Sequence, residues 1–389
     1  MRTLQKKVET IINSREEIPA SPLVSLLSAA SALYGTAQTI RANCYRQNLL
    51  QSRKLPCDVI SVGNITVGGT GKTPMTIYVA RMLQQAGVRV AVISRGYKGG
   101  AEKDGGVVSD GRHILMDAEQ AGDEPFLIGS RLKNIPVIVG KNRFKAGLLA
   151  VSKFQPDVIV LDDAFQHLRL KRDIDLVLLD CARPFGNSHL LPRGKLREPV
   201  GALTRATACI LTRSQSGADE AVAKSVAGIK SLLPQIPIFT SFHDPYFYTV
   251  KSGVPTPLHE IDDFLSSHEL EEIKQQKAFA FSGIARNDDF RRTVEKNGFD
   301  TRGFCEFSDH HRYSRNDLDR IIQNAQEAGA DCLITTEKDH ARIAHQKPLS
   351  MDLVVVGVKI TFGGGGDGQD FMAFIRSRLP QIQRHNLAR

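Results

Sequence analysis

The stretch Val62-Gly63-Asn64-Ile65-Thr66-Val67-Gly68-Gly69-Thr70-Gly71-Lys72-Thr73-Pro74 constrains this chain most. An apolar, β-branched run (Val59, Ile60, Val62) precedes it and an amphipathic helical pattern follows. Strand, Gly-rich turn, Gly-Lys-Thr and helix form the setting of a phosphate-binding loop. Glycines let backbone N–H groups turn toward a phosphate, and the helix N-terminus adds a favourable dipole. The lysine supplies a point charge and the hydroxyl can join a Mg²⁺ shell. The general pattern G-x-x-x-x-G-K-[ST] is not met in full, because its first glycine falls on Thr66. Gly63, Gly68 and Gly69 supply the permissive backbone instead.

With 389 residues, 41% hydrophobic and 24% charged, the chain has the length for two domains and the composition of a globular enzyme. A net charge of +9 points to an anionic partner: nucleic acid, a phosphorylated substrate or an acidic membrane surface. Nucleic acid is disfavoured, because there is no dense basic run with interleaved aromatics and no Trp. The six cysteines are scattered without a C-x-x-C pair, which suggests a reduced cytoplasmic protein without a zinc site. No run of about 18 apolar residues is present, so no spanning helix is expected.

Residues 1–17 read as a polar helix. Residues 22–40 differ: apolar positions 23, 26, 27, 30, 33 and 34 recur at helical spacing as one face, and Arg41, Arg46, Arg53 and Lys54 follow. That composition suits a helix lying in a membrane interface and equally one packed on the protein's own core.

After the loop, a helix over Pro74–Ala86 and a buried strand over 88–94 lead into Arg95-Gly96-Tyr97-Lys98, a cationic and aromatic cluster at a strand's C-terminal edge, where open α/β sheets bind ligands. Residues 99–116 read as a hairpin turning at Asp110-Gly111. Gly122-Asp123-Glu124-Pro125 opens a helix, and its acids can serve the helix dipole alone. A strand over 136–140 precedes Lys141-Asn142-Arg143, and a helix follows. Val158-Ile159-Val160-Leu161-Asp162-Asp163 has the form of a Walker B strand, which holds Mg²⁺ opposite the loop threonine. One of its two acids can hold metal while the other serves the substrate. Ala164-Phe165-Gln166-His167 follows as a loop, then further strands over 173–180 and 206–211, with a basic loop at Leu191–Pro199 between them. This alternation predicts a parallel sheet covered on both faces.

Asp244-Pro245 and the stretch 252–257 interrupt the alternation and suggest a linker near 244–257. A smaller α/β unit follows. Within it, Ser308-Asp309-His310-His311-Arg312-Tyr313 suits proton handling or phosphate contact better than zinc. The lysine and the aspartate of Thr335-Thr336-Glu337-Lys338-Asp339 either contact a nucleotide base or fix the interface between domains. Gly363–Gly366 reads as a flexible connector, since no Lys-Ser/Thr follows it.

Taken together, 62–74, Ser94-Arg-Gly-Tyr97, Gly122-Asp-Glu-Pro125, Leu161-Asp-Asp-Ala-Phe-Gln-His167, Leu191-Pro-Arg-Gly-Lys-Leu-Arg-Glu-Pro199, Phe307-Ser-Asp-His-His311 and Thr336-Glu-Lys-Asp339 closely resemble the tetraacyldisaccharide 4′-kinase (lipid A 4′-kinase) family. The segment His340-Ala341-Arg342 and the Gly-rich tail depart from the expected pattern. The resemblance implies a P-loop NTPase-like parallel sheet domain plus a second, smaller α/β domain, here an N-terminal arm (1–45), a nucleotide and substrate domain (46–245) and a C-terminal domain (246–389). It implies ATP and Mg²⁺, and transfer of the γ-phosphate to the 4′-hydroxyl of a tetraacylated glucosamine disaccharide 1-phosphate, giving lipid IVA. It also implies a peripheral protein on the cytoplasmic face of the inner membrane, held by the arm.

The residue roles implied are as follows. Asp123 is the base, tuned by His310, and Lys72 and Asp163 complete the catalytic set. Thr66, Val67, Gly68, Gly69, Thr70, Gly71, Lys72, Thr73, Glu337 and Asp339 hold nucleotide. Arg95, Tyr97, Arg143, Gln166, His167, Arg197 and Glu198 contact substrate, and Thr73, Asp162 and Asp163 hold the metal. A P-loop ATPase switch without a lipid acceptor is the competing reading.

Overall fold

The structure, a computed structural model of the 389-residue chain, describes all residues except 1, 15–17, 20, 215–218, 255–257, 259–263, 347, 364–366 and 380–389. Most of the Gly363–Gly366 connector therefore lies outside the described residues. Apolar runs rich in Val, Ile and Leu form β1 (Asp58–Asn64), β2 (Val90–Ser94), β3 (Gly106–Ser109), β4 (Val137–Val139), β5 (Val158–Asp162) and β6 (Ile174–Asp180). Further strands are β7 (Ala208–Thr212), β8 (Ile238–Val250), β9 (Lys277–Ser282), β10 (Asp300–Glu306), β11 (Cys332–Thr336) and β12 (Leu353–Phe362). Among the described residues these make one sheet of twelve strands in the order β10-β9-β11-β12-β8-β7-β6-β1-β5-β2-β4-β3. β1, β2 and β5 are buried at every position, as strands of a parallel sheet covered on both faces must be.

The helices are α1 (Arg2–Asn13), α2 (Pro22–Arg46), α3 (Lys72–Gln85), α4 (Ala118–Ala121), α5 (Asp123–Arg131), α6 (Arg143–Phe154), α7 (Asp219–Leu232), α8 (Ser267–Lys274), α9 (Asn287–Lys296), α10 (Arg315–Glu327), α11 (Glu337–Ile343) and α12 (Asp367–Arg378). Capping boxes start α8 at Ser266 with Glu269 and α10 at Ser314 with Asp317. At the expected hairpin, Asp110-Gly111 does turn the chain back, with Leu115 N–H donating to Val108 O at 2.7 Å. The ladder partner of β3, however, is β4, antiparallel.

The expected linker begins inside a strand. β8 runs through Asp244 and Pro245 and pairs antiparallel with β12 from Ser241↔Phe362 to Val250↔Leu353. Pro245 is tolerated because β7 pairs β8 only from Ile238 to Thr240, so its missing N–H falls where β8 has one neighbour. A proline read as a breaker is thus an open-edge strand residue, and the seam β8–β12 joins the two halves of the sheet. The division at 245/246 is also crossed by the C-terminus. Phe371, Ile375 and Leu379 share a core with Met75, Val79 and Leu83 of α3.

The arm departs from its expected single apolar face. Ser21 accepts from Val24 N–H and caps α2, with Pro22 at its start. Val24 and Leu27 pack on Ile11 of α1. Ser31 and Tyr34 donate hydroxyl hydrogens to Leu190 O and Arg197 O at 2.6 and 2.8 Å. A Cβ at Gly35 would stand 2.6 Å from Leu190 Cδ1. This row faces the protein, while Leu26 (67% exposed), Leu33 (74%) and Ile40 (58%) face outward. The expectation that no helix suits a span is corrected: α2 is long and apolar enough to cross a membrane, by length and composition alone.

One buried ion pair ties the halves together beside the seam. Arg131 of α5 donates to Glu337 of α11, both buried, and Tyr246 OH donates to the same Glu337 oxygen at 2.6 Å. Removing one partner of such a pair strands a charge, at about 3–5 kcal/mol. Arg131→Met should therefore lower the urea unfolding midpoint clearly, and adding Glu337→Gln should restore part of the loss. An unmoved midpoint in Arg131→Met would show that the pair does not hold the halves.

Candidate active site

Local backbone chemistry shapes the loop between β1 and α3. Gly71 caps α3 in a left-handed conformation, φ 84°, with no side chain occupying the first-turn N–H groups. A Cβ there would also meet His243 Nε2 at 2.5 Å, so glycine is required twice over. Gly63 lies against Phe165, where a Cβ would stand 2.6 Å from Phe165 Cβ. Asn64 fastens the loop: its Nδ2 donates to Thr70 Oγ1 at 2.8 Å, and its backbone O accepts from Gln166 Nε2 at 2.8 Å. Val67 N–H donates to Lys195 O at 2.8 Å, which joins the loop to the basic 191–199 segment.

Asp162, Asp163 and Glu124 lie within electrostatic reach of Lys72 in this loop, and Asp123 adjoins Glu124. Asp162 ends β5, is 1% exposed, and accepts from Thr76 Oγ1 at 3.1 Å and Ser94 Oγ at 3.0 Å. Burial, reinforced by the negative charges of Glu124 and Asp163, pushes its carboxyl up to about 7. Asp163 follows at φ 47°, and this turn directs it differently from its neighbour. Its Oδ1 lies 3.9 Å from Lys72 Nζ and accepts from Arg197 Nη1 at 2.7 Å. Burial opposes ionisation there, but Lys72 and Arg197 outweigh it and hold the group below the usual carboxylate range.

Asp123 and Glu124 form the first turn of α5, and the second half of the chain supplies their partners. Lys338 Nζ donates to Glu124 Oε1 at 2.9 Å and lowers its carboxyl against burial. Asp123 Oδ2 accepts from Arg342 Nε at 2.8 Å and lies 3.0 Å from His310 Nδ1. Burial raises the Asp123 carboxyl, yet His310, Arg342 and Lys338 together bring it down to about 2. His310 sits at φ 60°, with Tyr97 edge-on to its ring at 5.9 Å. His311 is separate from this cluster. It stacks on Phe307 at 4.5 Å and faces Asp317, the capping acid of α10, at 3.2 Å.

The structure thus gathers Lys72, Asp162, Asp163 and Arg197 at the loop and Asp123 with His310 beside them, with Glu124, the neighbour of Asp123, within electrostatic reach of Lys72 and Asp163. Arg95 and Tyr97 are exposed nearby, with the guanidinium 5.5 Å from the ring centroid. Other expected residues are placed differently. Arg143 is 3% exposed and turns onto Gly140 O and Asp162 O, so it supports the β5 turn from beneath instead of lining a surface. Glu198 is buried on Arg205. Glu337 and Asp339, expected to hold nucleotide, are buried in ion pairs with Arg131 and Arg342. Glu337 and Lys338 fix the interface, through Arg131 and Glu124, whereas Asp339 is held within its own half by Gly283, Tyr313, Thr336 and Arg342. Among the described residues, no three His, Cys, Asp or Glu side chains form a ready-made metal cluster.

Sequence reasoning missed two groups. Arg213, at the end of β7, lies 3.1 Å from Asp289 and 3.4 Å from Asp180, and Arg286 joins the same acids. Arg213 Nη2 also stands 3.7 Å from where a Gly69 Cβ would be. Its place just past a strand was the available signal. Arg342 lies one helical turn after Lys338 and Asp339, and that i, i+3/i+4 spacing was its signal.

A family model described as Tetraacyldisaccharide-1-P 4′-kinase matches residues 23–380. A tetraacyldisaccharide 4′-kinase of Desulfatibacillum aliphaticivorans is 38% identical over 383 residues, covering 97% of this chain and 99% of the relative. One from Pelobacter propionicus is 43% identical over 330 residues, covering 85% and 86%. Among solved structures, an "apo" form of LpxK from Aquifex aeolicus in complex with ATP superposes with a TM-score of 0.69 at 28% identity, covering 92% of this chain and 99% of that one.

Burial also fixes two histidines around the loop. His167 and His243 are each held down to about 4, chiefly by burial, helped by Arg143 at His167 and Arg213 at His243. A folded pKa below the unfolded value near 6.5 means that the unfolded chain binds more protons between those values. The stability is therefore complete above about 6.5 and is lost as pH falls toward 4. The melting temperature should fall steadily from pH 7 to pH 5. The imidazole NMR signals of His167 and His243 should not titrate above pH 5, and a midpoint near 6.5 for either would contradict its burial as neutral imidazole.

Proposed function

The chain belongs to the tetraacyldisaccharide-1-P 4′-kinase family, and we infer from this that it is an ATP-dependent lipid A 4′-kinase. It transfers the γ-phosphate of ATP to the 4′-hydroxyl of a tetraacylated glucosamine disaccharide 1-phosphate and gives lipid IVA. The observation that carries this reading is a family match spanning both halves, 23–380, together with the Asp123–His310 contact that the halves make only jointly. A bare ATPase switch would have no use for a base built from two halves, and that reading is dropped.

Phosphoryl transfer depends on positioning and charge neutralisation more than on covalent chemistry. The first-turn N–H groups of α3, with those of the glycine-rich loop, cradle the ATP phosphates, with Lys72 on the β and γ groups. Asp123 accepts the proton of the attacking hydroxyl, and His310 orients it. Arg197 and the exposed Arg95 and Tyr97 contact the phosphorylated disaccharide, and Gln166 and His167 shape the loop beside it. The crowded hard-oxygen donors Asp162 and Asp163, with the Thr73 hydroxyl, suit Mg²⁺, which needs only one or two carboxylates beside the nucleotide phosphates. Bound there, the ion would neutralise developing phosphate charge.

Radiolabelled transfer from ATP to the disaccharide monophosphate in detergent micelles tests the activity. Lys72→Ala should lower turnover at least about 100-fold. Asp123→Asn should lower it by about 10²–10⁴ with ATP still bound. Near-normal turnover in Asp123→Asn would remove the base assignment, and a mild Lys72→Ala effect would remove the phosphate-loop reading.

The outward row Leu26, Leu33 and Ile40 follows the seven-residue repeat of one helix face, and Arg41 and Arg46 lie at its end. An apolar face beside cations suits an anionic bilayer, and with the lipid acceptor of the family it supports a peripheral enzyme on the cytoplasmic face of the inner membrane. The triple variant Leu26→Glu, Leu33→Glu, Ile40→Glu should lose co-sedimentation with phosphatidylglycerol vesicles while keeping transfer in micelles. Undiminished co-sedimentation would rule α2 out as the anchor.

A further inference from the structure

Arg342 is more firmly held than an interface residue requires. Its side chain is 4% exposed. Nη1 donates to Gly283 O and to Asp339 Oδ1, each at 2.7 Å, and Nε donates to Asp123 Oδ2 at 2.8 Å. Asp339 is itself fixed by Gly283 N–H, Tyr313 OH and Thr336 OH. The guanidinium therefore has no freedom to turn away from Asp123.

Both neighbours of the Asp123 carboxylate meet the same oxygen, Oδ2: Arg342 Nε and His310 Nδ1. Oδ1 has no hydrogen-bond partner among the described residues. The two contacts differ in kind. A histidine donates from Nδ1 only in one tautomer or when protonated, whereas a guanidinium donates at every working pH. We propose that Arg342 is a positioning residue for phosphoryl transfer, pinning Oδ2 of Asp123 so that Oδ1 alone meets the acceptor hydroxyl. This rests on the reading of Asp123 as the base. In the step, the sugar oxygen bonds to the γ-phosphorus and its proton passes to Oδ1. The bond from phosphorus to the bridging oxygen breaks, and ADP leaves with that electron pair.

A guanidinium at 2.8 Å makes Asp123 a weaker base, which argues against the arrangement unless direction outweighs basicity. In phosphoryl transfer it does. The transition state is loose, the nucleophile is little bonded, and its proton is lost late, when the forming bond has already made it acidic. A weak base with a fixed lone pair then serves better than a strong one free to rotate.

The test is a double-mutant cycle in kcat with radiolabelled ATP and disaccharide monophosphate in micelles. Arg342→Met should lower kcat about ten- to a hundred-fold and leave KM for ATP within about two- to three-fold, the signature of misplacement without lost binding. Arg342→Lys should recover a substantial part. On an Asp123→Asn background, Arg342→Met should cost less than about two-fold more, because the group it positions is gone. Multiplying effects in the cycle, an unchanged kcat, or a lysine no better than methionine would each overturn the proposal. If Arg342→Met does not fold, Asp339→Asn in the same chain removes the stranded carboxylate and the cycle is run on that pair. An Asp123→Asn enzyme with near-normal turnover would remove the base reading and this role with it. A failed cycle over an inactive Asp123→Asn removes this role alone.

Discussion

A carboxylate taken out of water must be paired or protonated, and the cleft of this protein follows from that requirement. The nucleotide-binding half contributes four acids, Asp123, Glu124, Asp162 and Asp163. It answers only one of them fully, Asp163, with Lys72 and Arg197. Asp162 has hydroxyl donors alone and is pushed toward protonation. The cations for Asp123 and Glu124 come from α11, through Arg342 and Lys338. Three ion pairs therefore run between α5 and α11, counting Arg131 with Glu337. Charge balance in the site and the closed arrangement of the halves are one and the same fact.

This explains why two readings of Asp123 and Glu124 do not compete. Acids in the first turn of a helix are favoured by the dipole, and Gly122 leaves that turn without a side-chain cap. The same position aims both carboxylates out of the helix end toward α11 and the loop. A helix-terminal acid becomes a proposed base because a second set of elements supplies its partners. Ordinary helix chemistry brings the group to the site, and tertiary structure gives it a role.

Most of the nucleotide half was legible in the sequence, because each signal there is local. A β-branched run, a Gly-rich turn and Lys72-Thr73 lie within one strand, loop and helix, and Asp162-Asp163 ends a single buried run. The parts that were not legible depend on partners outside the local strand, loop or helix. β8 was obscured by Asp244-Pro245, since the open side that makes Pro245 harmless is set by how far β7 extends. The burial of Arg143 at the start of α6 and of Glu198 follows no local apolar pattern: Arg143 turns onto Gly140 O and Asp162 O, and Glu198 onto Arg205. Glu337 and Asp339 looked like ligands because acids beyond a strand often are. Their partners Arg131 and Arg342 sit on a distant helix and one turn further on, respectively. The outward row of α2 was seen as apolar, but only the small residues Ser31 and Gly35 opposite it show which side meets the protein.

The seam adds a link between loop and cleft. His243 lies on β8, within the stretch paired to β12, and its ring abuts Gly71 at the start of α3. Its Nε2 is buried without a hydrogen-bond partner, so contact with the loop is steric and admits little displacement. β12 is in turn paired with β11, whose end opens α11 and so carries Lys338 and Arg342. The phosphate loop, by its contact with β8, is thus connected through the paired strands β12 and β11 to the helix carrying the cations of Asp123 and Glu124. The proposed donor loop and the helix that holds the proposed base therefore belong to one hydrogen-bonded framework, although more than 260 residues of chain separate them.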